Sequence, residues 1–373
     1  MGELFTSESV RKGHPDKLCD QICDAILDDI IAKEPKARVA VEASATRGLI
    51  DIHGEITTEC YCPFDTIARE IIRSIGYTNP EFGLDYRSVG ILNVIQAQSP
   101  EISAGINGLG SREQGAGDQG LMFGYACKET PELMPFPIMK AHELVRLTDE
   151  KMKLKKFIRP DGKSQVSAEY INGKVSRVEA VVLAVQHEPS INREELEAYL
   201  KENIILPALG EWIDSNTKII VNGAGSFTLG GPGVDSGAVG RKIMVDTYGG
   251  YASHGGGAFS GKDPSKVDRT GAYYARYAAK SIVAAGIAEQ FLIQVAYVIG
   301  FAEPISINVK SLGTSKFSDS EIENIIRQNF DFRPKAMIEE LDLLKPRYLA
   351  AAAYGHFGRS GEIFTWEKIK ELK

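Results

Sequence analysis

Three short stretches combine residue types suited to phosphate chemistry. In the first, Gly13-His14-Pro15-Asp16-Lys17, a histidine, an aspartate and a lysine share one run at a helix start. Pro15 fits the first helical turn, where its missing N–H costs nothing. His14 then stands just outside the helix and can reach a ligand, and Asp16 can bind a hard cation such as Mg²⁺. Each residue alone reads equally well as a cap or a surface charge; the spacing is what favours a site.

The second, Gly115-Ala116-Gly117-Asp118-Gln119-Gly120, matches G-x-G-x-x-G. The polar Arg112-Glu113-Gln114 stands where a dinucleotide-binding turn needs a strand, so close backbone approach to a ligand is favoured, with Asp118 aimed at a cation or amine. The third runs through Gly240–Gly250 and His254–Arg269. Gly256 to Lys262 matches G-x-x-x-x-G-K, but Asp263 replaces the Ser or Thr that holds Mg²⁺ in a P-loop, and Pro264 follows. Arg241, Lys242, Lys262 and Lys266 supply positive charge, accompanied by Asp235, Asp246, Asp263 and Asp268. Glycines let backbone N–H groups approach an anion. Together these features point to a polyphosphate with bound Mg²⁺; a solvated loop with scattered charges is the competing reading.

Hydrophobic spacing predicts the elements that position these stretches. A helix over Pro15–Lys33 precedes strands over Arg38–Ser44 and Leu49–Thr57, a helix over Phe64–Ser74 and a strand over Val89–Ala97. A second set follows: a helix over Ile138–Lys156, a hairpin of Gln165–Tyr170 and Val175–Gln186 about the type I′ signal Asn172-Gly173, a helix over Arg193–Ile205 and a strand over Lys218–Val221. The last third gives a helix over Val267–Ala285, strands over Phe291–Phe301 and Ser306–Lys310, and a helix over Ser318–Asn329 opened by the box-like Ser318-Asp-Ser-Glu321. Corresponding helices lie roughly 125 residues apart, far beyond solenoid periods. The pattern is helix, hairpin, helix, strand, and it predicts an α+β protein of three similar units, each a sheet with helices on one face. The expected boundaries are 1–99, 113–230 and 231–373, with 100–112 between the first two inside the Gly-, Ser- and Asn-rich run Ser99–Gly117, which reads as a mobile functional segment against the competing reading of a solvated surface loop. Val89–Ala97 and Val178–Val185 are apolar on both sides, which suits burial against a partner sheet.

Length and charge agree. The chain's 373 residues exceed one core of about 250–300 residues, so two or three units are expected. With 43 Lys plus Arg against 50 Asp plus Glu, the net charge of −7 argues against a nucleic-acid-binding surface. The most apolar stretch, Ser281–Ala302, is interrupted by Glu289, Gln290 and Gln294, so no membrane span is expected. The N-terminus lacks signal-peptide features, and although it fits M-G-x-x-x-[ST] acylation, no basic patch follows. Of the five cysteines, Cys19 and Cys23 lie a helical turn apart, and Cys60 and Cys62 share a face of an expected strand. Neither pair completes a zinc site, so reduced thiols in a cytoplasmic protein are expected.

The sequence resembles the S-adenosylmethionine synthetases, or methionine adenosyltransferases. The resemblance rests on Gly13–Lys17, Glu113–Tyr125, Gly240–Gly250, His254–Arg269 and Ala352-Ala-Tyr-Gly-His-Phe-Gly-Arg359, blocks that span nearly the whole chain. It implies three α+β units about a pseudo-threefold axis, and it makes 100–112, within the stretch from Ser99 that matches the family's mobile segment, an active-site lid. The implied reaction is ATP plus L-methionine plus water to S-adenosylmethionine, pyrophosphate and phosphate. It also implies a homodimer with shared active sites, itself paired into a dimer of dimers. Residue by residue, His14 matches the donor to the departing ribose 5′ oxygen. Asp16 and Asp268 match Mg²⁺ ligands, with two Mg²⁺ expected per site, and Glu42 matches a K⁺ ligand. Glu55, Gln98, Asp118, Asp235 and Lys266 fall at methionine positions. Asp161, Lys163, Ser226, Phe227, Asp235, Arg241, Lys242, Ala258 and Lys262 fall at ATP positions, with Phe227 stacked on adenine. Lys163, Arg241, Lys242, Lys262 and Lys266 join His14 as the catalytic set. The resemblance assigns His14, Lys163 and Arg241 of one site to one chain, and Asp235 and Lys262 to its mate.

Three departures stand out. Arg11-Lys12 occupies the place of a usual Ser-Glu, Gly233–Val239 replaces a more usual Met-Gly-Asp-Cys-Gly-Leu-Thr, and Ser226 replaces a commoner Arg. Two other classes remain open to the residues: a P-loop-type phosphotransferase, and a non-catalytic nucleotide sensor.

Overall fold

A computed structural model describes residues 2–98 and 114–373; the expected lid over 100–112 lies outside them. We label the main strands β1 (Glu3–Val10), β2 (Arg38–Thr46), β3 (Leu49–Thr57), β4 (Gly90–Gln96), β5 (Gly120–Cys127), β6 (Ile158–Ile171), β7 (Lys174–His187), β8 (Lys218–Val221), β9 (Gly237–Ala238), β10 (Gln290–Tyr297) and β11 (Ser306–Lys310). The main helices are α1 (Pro15–Lys33), α2 (Phe64–Ile75), α3 (Phe136–Met152), α4 (Arg193–Leu200), α5 (Val267–Ala284), α6 (Asp319–Asn329) and α7 (Pro334–Glu340). The predicted hairpins form, and Asn172 and Gly173 both take positive φ, as a type I′ turn requires. The capping box on α6 forms in full: the Ser318 hydroxyl faces the Glu321 amide, and the Glu321 carboxylate accepts from the Ser318 backbone.

The fold is mixed α/β with three main sheets, ordered β9-β2-β3-β4, β1-β6-β7-β8 and β11-β10-β5. Each sheet is built on one of the predicted hairpins and edged by a strand from elsewhere in the chain. The N-terminal strand β1 pairs with β6 of the middle hairpin, β5 pairs with β10 of the last, and β9 pairs with β2 of the first. This exchange explains why β1 and β5 escape a local reading: each reads as a polar or glycine-rich lead-in and is completed only by a distant partner. Gly124 lets β5 approach α5 closely, since a Cβ there would collide with the Ala275 backbone.

Several expectations need correction. The last sheet has no fourth strand after α6, where the chain enters α7 instead, so the repeat is incomplete in the third unit. The helix expected over Arg193–Ile205 ends as α-helix at Leu200, widens to a π-turn over Lys201–Ile205 and resumes over Leu206–Leu209. Pro207 has no N–H to give and would crowd a carbonyl one turn back, which accounts for the widening. The strand expected to reach Phe301 stops at Tyr297, before Gly300 turns at φ +78°. Cys60 and Cys62 sit in a loop rather than on a strand; all five cysteines are free.

Two apolar cores result. One runs continuously through the first and third units, from Leu18 and Ile22 to Phe291 and Trp366; the other fills the middle unit between its sheet, α3 and α4. What ties α1 to the third unit is polar. Asp16, Asp20, Asp24 and Asp28 recur every fourth residue along α1, so they share one side of the helix. Asp16 accepts from the Ala238 amide and Asp20 from the Gly240 amide. Asp24 takes a bidentate pair from Arg269 and the Gly261 amide, and Asp28 takes three amides over Arg347–Leu349. Each aspartate therefore fixes a different turn of the last third of the chain.

Candidate active site

His14 is the N-cap of α1, and its Nδ1 accepts from the Asp16 amide at 3.1 Å. That bond places the ring proton on Nε2 and leaves it a donor. Burial, then the charges of Lys242 and Lys163, push its pKa down to about 3, so the ring is neutral near pH 7. Asp16 is buried, which alone would raise its pKa, but hydrogen bonds from Lys242 and the Ala238 amide hold it below the usual carboxylate value. The Lys242 ammonium lies 2.6 Å from Asp16 Oδ2, and Arg241 lies 3.6 Å from Oδ1.

The β6 strand brings Asp161 and Lys163 to this centre. Opposite His187 and Val185 of β7, the register jumps from Ile158 to Gly162, a bulge that displaces Arg159–Asp161. Lys163 is exposed and pairs across β1 with Val10. The Asp161 carboxylate is occupied: it accepts from the Gly162 and Gly231 amides. It thereby braces the turn that carries Asp235, whose amide donates to the Gly231 carbonyl. Asp235 itself is exposed.

A second group lies around Asp268, on the first turn of α5. Lys262 Nζ is 2.6 Å from Asp268 Oδ2. A Cβ on Gly120 would fall 3.5 Å from Asp268 Oδ1, so the start of β5, with the exposed Asp118, borders this group. Ala258 packs against Gly240, which takes φ +73°. Lys266 caps α5; its Nζ has no hydrogen-bond partner and lies 3.5 Å from Asp263.

The open edge of β2 aligns the two groups. Ala238 pairs opposite Ser44, and Lys262 bridges opposite Ala40 on the same edge. Four residues of strand separate them by about 13 Å. Between them, Glu42 points to the outward face of the sheet, near His53, while Glu55 sits opposite Ala40 on that face. The Gln98 amide donates to Thr57, and its side-chain oxygen is buried without a partner. Ser226 lines a cavity of about 140 Å³ with His187 and Asn222, and the Phe227 amide donates to His187.

The stretch that matches a P-loop motif does not form one. Residues 261–263 pair along the edge of β2, and the following helix begins only at Val267, after Pro264. The buried Asp263 is spent on the Val39 and Ser265 amides.

A cation fits this donor set in a particular way. Among the described residues no group of three or more His, Cys, Asp or Glu side chains could hold a metal. Asp16 and Asp268 are single carboxylates beside lysines, which suits Mg²⁺ held by one or two carboxylates and completed by substrate phosphates.

Sequence reasoning named Lys17, Asp246 and Arg11 but not their burial and pairing behind this surface. Lys17 is fully buried and pairs with Asp20 and with Asp246. Arg11 is also buried, donating to Asp149 at 2.7 Å and to the Asp161 carbonyl at 3.0 Å. The one available signal was the four-residue spacing of aspartates on α1.

Three main sheets with lysines paired to carboxylates beside one strand edge define a mixed α/β protein with a charge-paired surface site. Family models for the S-adenosylmethionine synthetase N-terminal, central and C-terminal domains match residues 2–100, 113–227 and 229–368. The S-adenosylmethionine synthase of Helicobacter pylori (strain J99) is 51% identical over 373 residues, covering 99% of this chain and 97% of the relative. Those of Myxococcus xanthus (strain DK1622) and Sulfurovum sp. (strain NBC37-1) are 50% and 52% identical, covering 99% of this chain and 93% and 96% of the relatives. The chain belongs to the S-adenosylmethionine synthetase family.

Proposed function

We propose that this chain synthesises S-adenosylmethionine at the surface that joins the Asp16 and Asp268 groups. Membership of the family makes it a transferase that uses ATP and methionine. The observation that carries the site assignment is the repeated 2.6 Å pairing: each expected metal carboxylate, Asp16 and Asp268, is held by an expected phosphate-binding lysine, Lys242 and Lys262. Such a centre is charge-balanced when empty, and an arriving polyphosphate can take over the lysines while freeing the carboxylates.

In this reading the methionine sulfur donates a lone pair to ribose C5′, the C5′–O bond breaks, and the triphosphate leaves with both electrons. A neutral thioether is a weak nucleophile, so alignment and leaving-group stabilisation must supply most of the acceleration. His14 Nε2–H is poised to donate to the departing oxygen, and Lys163, Arg241, Lys242, Lys262 and Lys266 hold the phosphate chain. Water then splits tripolyphosphate into pyrophosphate and phosphate. Glu55, Gln98, Asp118, Asp235 and Lys266 serve methionine; Asp161, Ser226, Phe227, Asp235 and Ala258 serve the nucleotide, Asp161 through the turn it braces. The family needs a divalent metal. Two Mg²⁺ ions held by Asp16, Asp268 and phosphate oxygens would offset leaving-group charge, with K⁺ at Glu42.

The units take the boundaries 1–99, 113–230 and 231–373, with 100–112 as a lid on the sequence reading alone. The cyclic strand exchange supports a pseudo-threefold relation among the units. A homodimer with shared sites, paired into a dimer of dimers, is supported by the outward face of the first sheet. There Leu49, Leu92 and Val94 are 38%, 50% and 50% exposed on the face that carries Glu42 and Glu55. No helix among the described residues is long and apolar enough to cross a membrane. Five free thiols support a reducing, cytoplasmic setting.

Incubation with ATP, methionine, Mg²⁺ and K⁺ tests the reading. S-adenosylmethionine detected by mass supports it. ADP with a phosphorylated product would favour a phosphotransferase, and nucleotide binding without turnover a sensor.

A further inference from the structure

A cavity of about 440 Å³ lies between the first unit and the C-terminal segment, and none of the residues assigned to the site above lines it. Lys12 enters it from the turn before α1, Asp28 from α1, Ser74 from α2, and Arg347, Tyr354 and Arg359 from the C-terminal segment. Its charges do not balance. Asp28 is the one carboxylate in the lining, and its oxygens are spent on the amides of Arg347, Tyr348 and Leu349. Arg347 is held by Asp342 at 3.4 Å. Lys12 and Arg359 are paired with no carboxylate among the described residues.

Both cations are fixed by neutral groups. Arg359 gives Nη1–H to the Ala353 and Gly355 carbonyls at 2.6 and 3.0 Å, and Nη2–H to the Ala350 carbonyl at 3.0 Å. These acceptors orient the fork but leave its charge uncompensated, and burial holds its pKa below the ordinary value. Lys12 Nζ stands 5.4 Å from the centre of the Tyr354 ring, a cation–π contact. Burial lowers the Lys12 pKa too, against the pull of Asp149 and with the repulsion of Lys153 and Arg359. Asp149 is already taken by Arg11, the Tyr354 hydroxyl and the Lys12 amide. Tyr354 itself adopts φ +63°, a conformation that a bulky side chain takes only where its surroundings dictate it, and such strain gathers at ligand sites.

We propose that this cavity is a second ligand site and that it takes an organic phosphate monoester. The phosphate head would lie at Lys12 and Arg359, and the body against the apolar wall of Ile71, Leu349 and Ile363. Two uncompensated cations match the charge of about −1.5 to −2 on a phosphate monoester at pH 7, whereas a carboxylate would satisfy only one of them. The assignment stands apart from the catalytic reading, because binding rather than turnover tests it.

Phenyl phosphate, titrated calorimetrically into the full-length chain, is the probe. It should bind saturably, and at least about tenfold tighter than either benzoate, which keeps the ring with a single charge, or inorganic phosphate, which lacks the ring. Lys12→Met should weaken the affinity by about tenfold or more. Ser74→Trp fills the cavity from an exposed position on α2 without touching a charge, and it should abolish binding. Lys262→Met, at the catalytic surface, should leave the affinity unchanged. Loss of binding in Lys262→Met with full binding in Lys12→Met would place the probe on the catalytic surface and overturn the proposal. It is equally overturned by no saturable binding, by benzoate or inorganic phosphate binding as tightly as phenyl phosphate, or by unchanged affinity in Ser74→Trp. Should Lys12→Met not fold, the Ser74→Trp result decides.

Discussion

Asp16 Oδ2 lies 2.6 Å from Lys242 Nζ, and one residue along α1 the buried Lys17 pairs with Asp246, which lies one turn beyond Lys242. A cation at Asp16 must displace a lysine that is already well placed, so Mg²⁺ alone should bind weakly. Tripolyphosphate offers the lysine a better partner, and the two ligands should bind with positive coupling. Calorimetry should show Mg²⁺ affinity rising at least about tenfold with tripolyphosphate present, a coupling of about 1.4 kcal/mol. Asp16→Asn and Asp268→Asn should each raise the Mg²⁺ needed for half-maximal activity, and an unchanged Mg²⁺ titration would remove that residue from the ligand set.

His14 makes a sharper case. Its Nδ1 is committed to the Asp16 amide and its Nε2–H is free for substrate. His14→Ala should lower kcat by about 10²–10³, the usual cost of removing one donor to developing negative charge, with a smaller change in KM for ATP. Because the folded pKa is pushed to about 3, activity at pH 5–6 should show no acid limb from this ring. A kcat profile that titrates near 6.5 and is lost in His14→Ala would show that the ring gains a proton in the working enzyme.

How much of this was legible depends on where a residue's partner lies. The hairpins and long helices follow local periodicity, so α1, β3, β8 and β11 appear with the expected bounds. The strands β1 and β5 have their partners in other units, and their own pattern is too polar or too rich in glycine to declare them. The aspartates of α1 were hidden for the same reason. Asp29, half-buried and paired with Lys33 one turn on, interrupts the apolar spacing of α1 visibly in sequence, while Asp20 and Asp24 are fully buried and matched by residues more than half the chain away. Motif residues such as His14 and Lys262 could be named early because their chemistry is local to a run of sequence. The turn that braces Asp235 could not.

Arg11 illustrates the difference. In sequence it reads as a swing toward positive charge at the site; in the structure it is buried, joined to Asp149 and to the carbonyls of Arg159 and Asp161. Arg11→Ser leaves Asp149 short of its charge partner. The expected loss is about 3–5 kcal/mol in denaturant unfolding. Arg11→Lys should recover little, since a single ammonium cannot reproduce the planar fork. A loss below about 1 kcal/mol for Arg11→Ser would mean that Tyr354 and the Lys12 amide, which also donate to Asp149, suffice to hold it.

Acid sensitivity should come partly from His142, on α3. Burial, followed by the charges of Arg359 and Lys17, pushes its pKa down to about 3 from an ordinary 6.5. Between those values the unfolded chain binds a proton that the folded chain refuses. Stability therefore falls as pH drops below 6.5, by about 1.4 kcal/mol per pH unit from this residue. His142→Asn can keep the contact with Ser9 and cannot titrate. From pH 7 to pH 5 the wild type should lose about 2 kcal/mol more than the variant. Parallel losses would show that His142 can be protonated in the folded state.

The arrangement along β2 leaves two ways to build a complete site, and they differ in which chain supplies Lys262. Lys262 and Ala238 share one edge of β2 about 13 Å apart, a span that long side chains and a triphosphate could bridge within one chain. The exposed Leu92 and Val94, on the same face as Glu42 and Glu55, favour instead a second copy laid across that face. His14→Ala and Lys262→Met should each be nearly inactive as homodimers, and mixing separates the two cases. If His14 and Lys262 of one site come from different chains, a mixed dimer gathers both lesions in one site and leaves the other intact. Refolding the variants together at equal amounts makes about half the dimers mixed, so roughly one quarter of all sites should be whole by symmetry. Recovery of about that fraction of wild-type activity is the expected result. No recovery, with mixed dimers confirmed by mass, would place His14 and Lys262 of each site in the same chain.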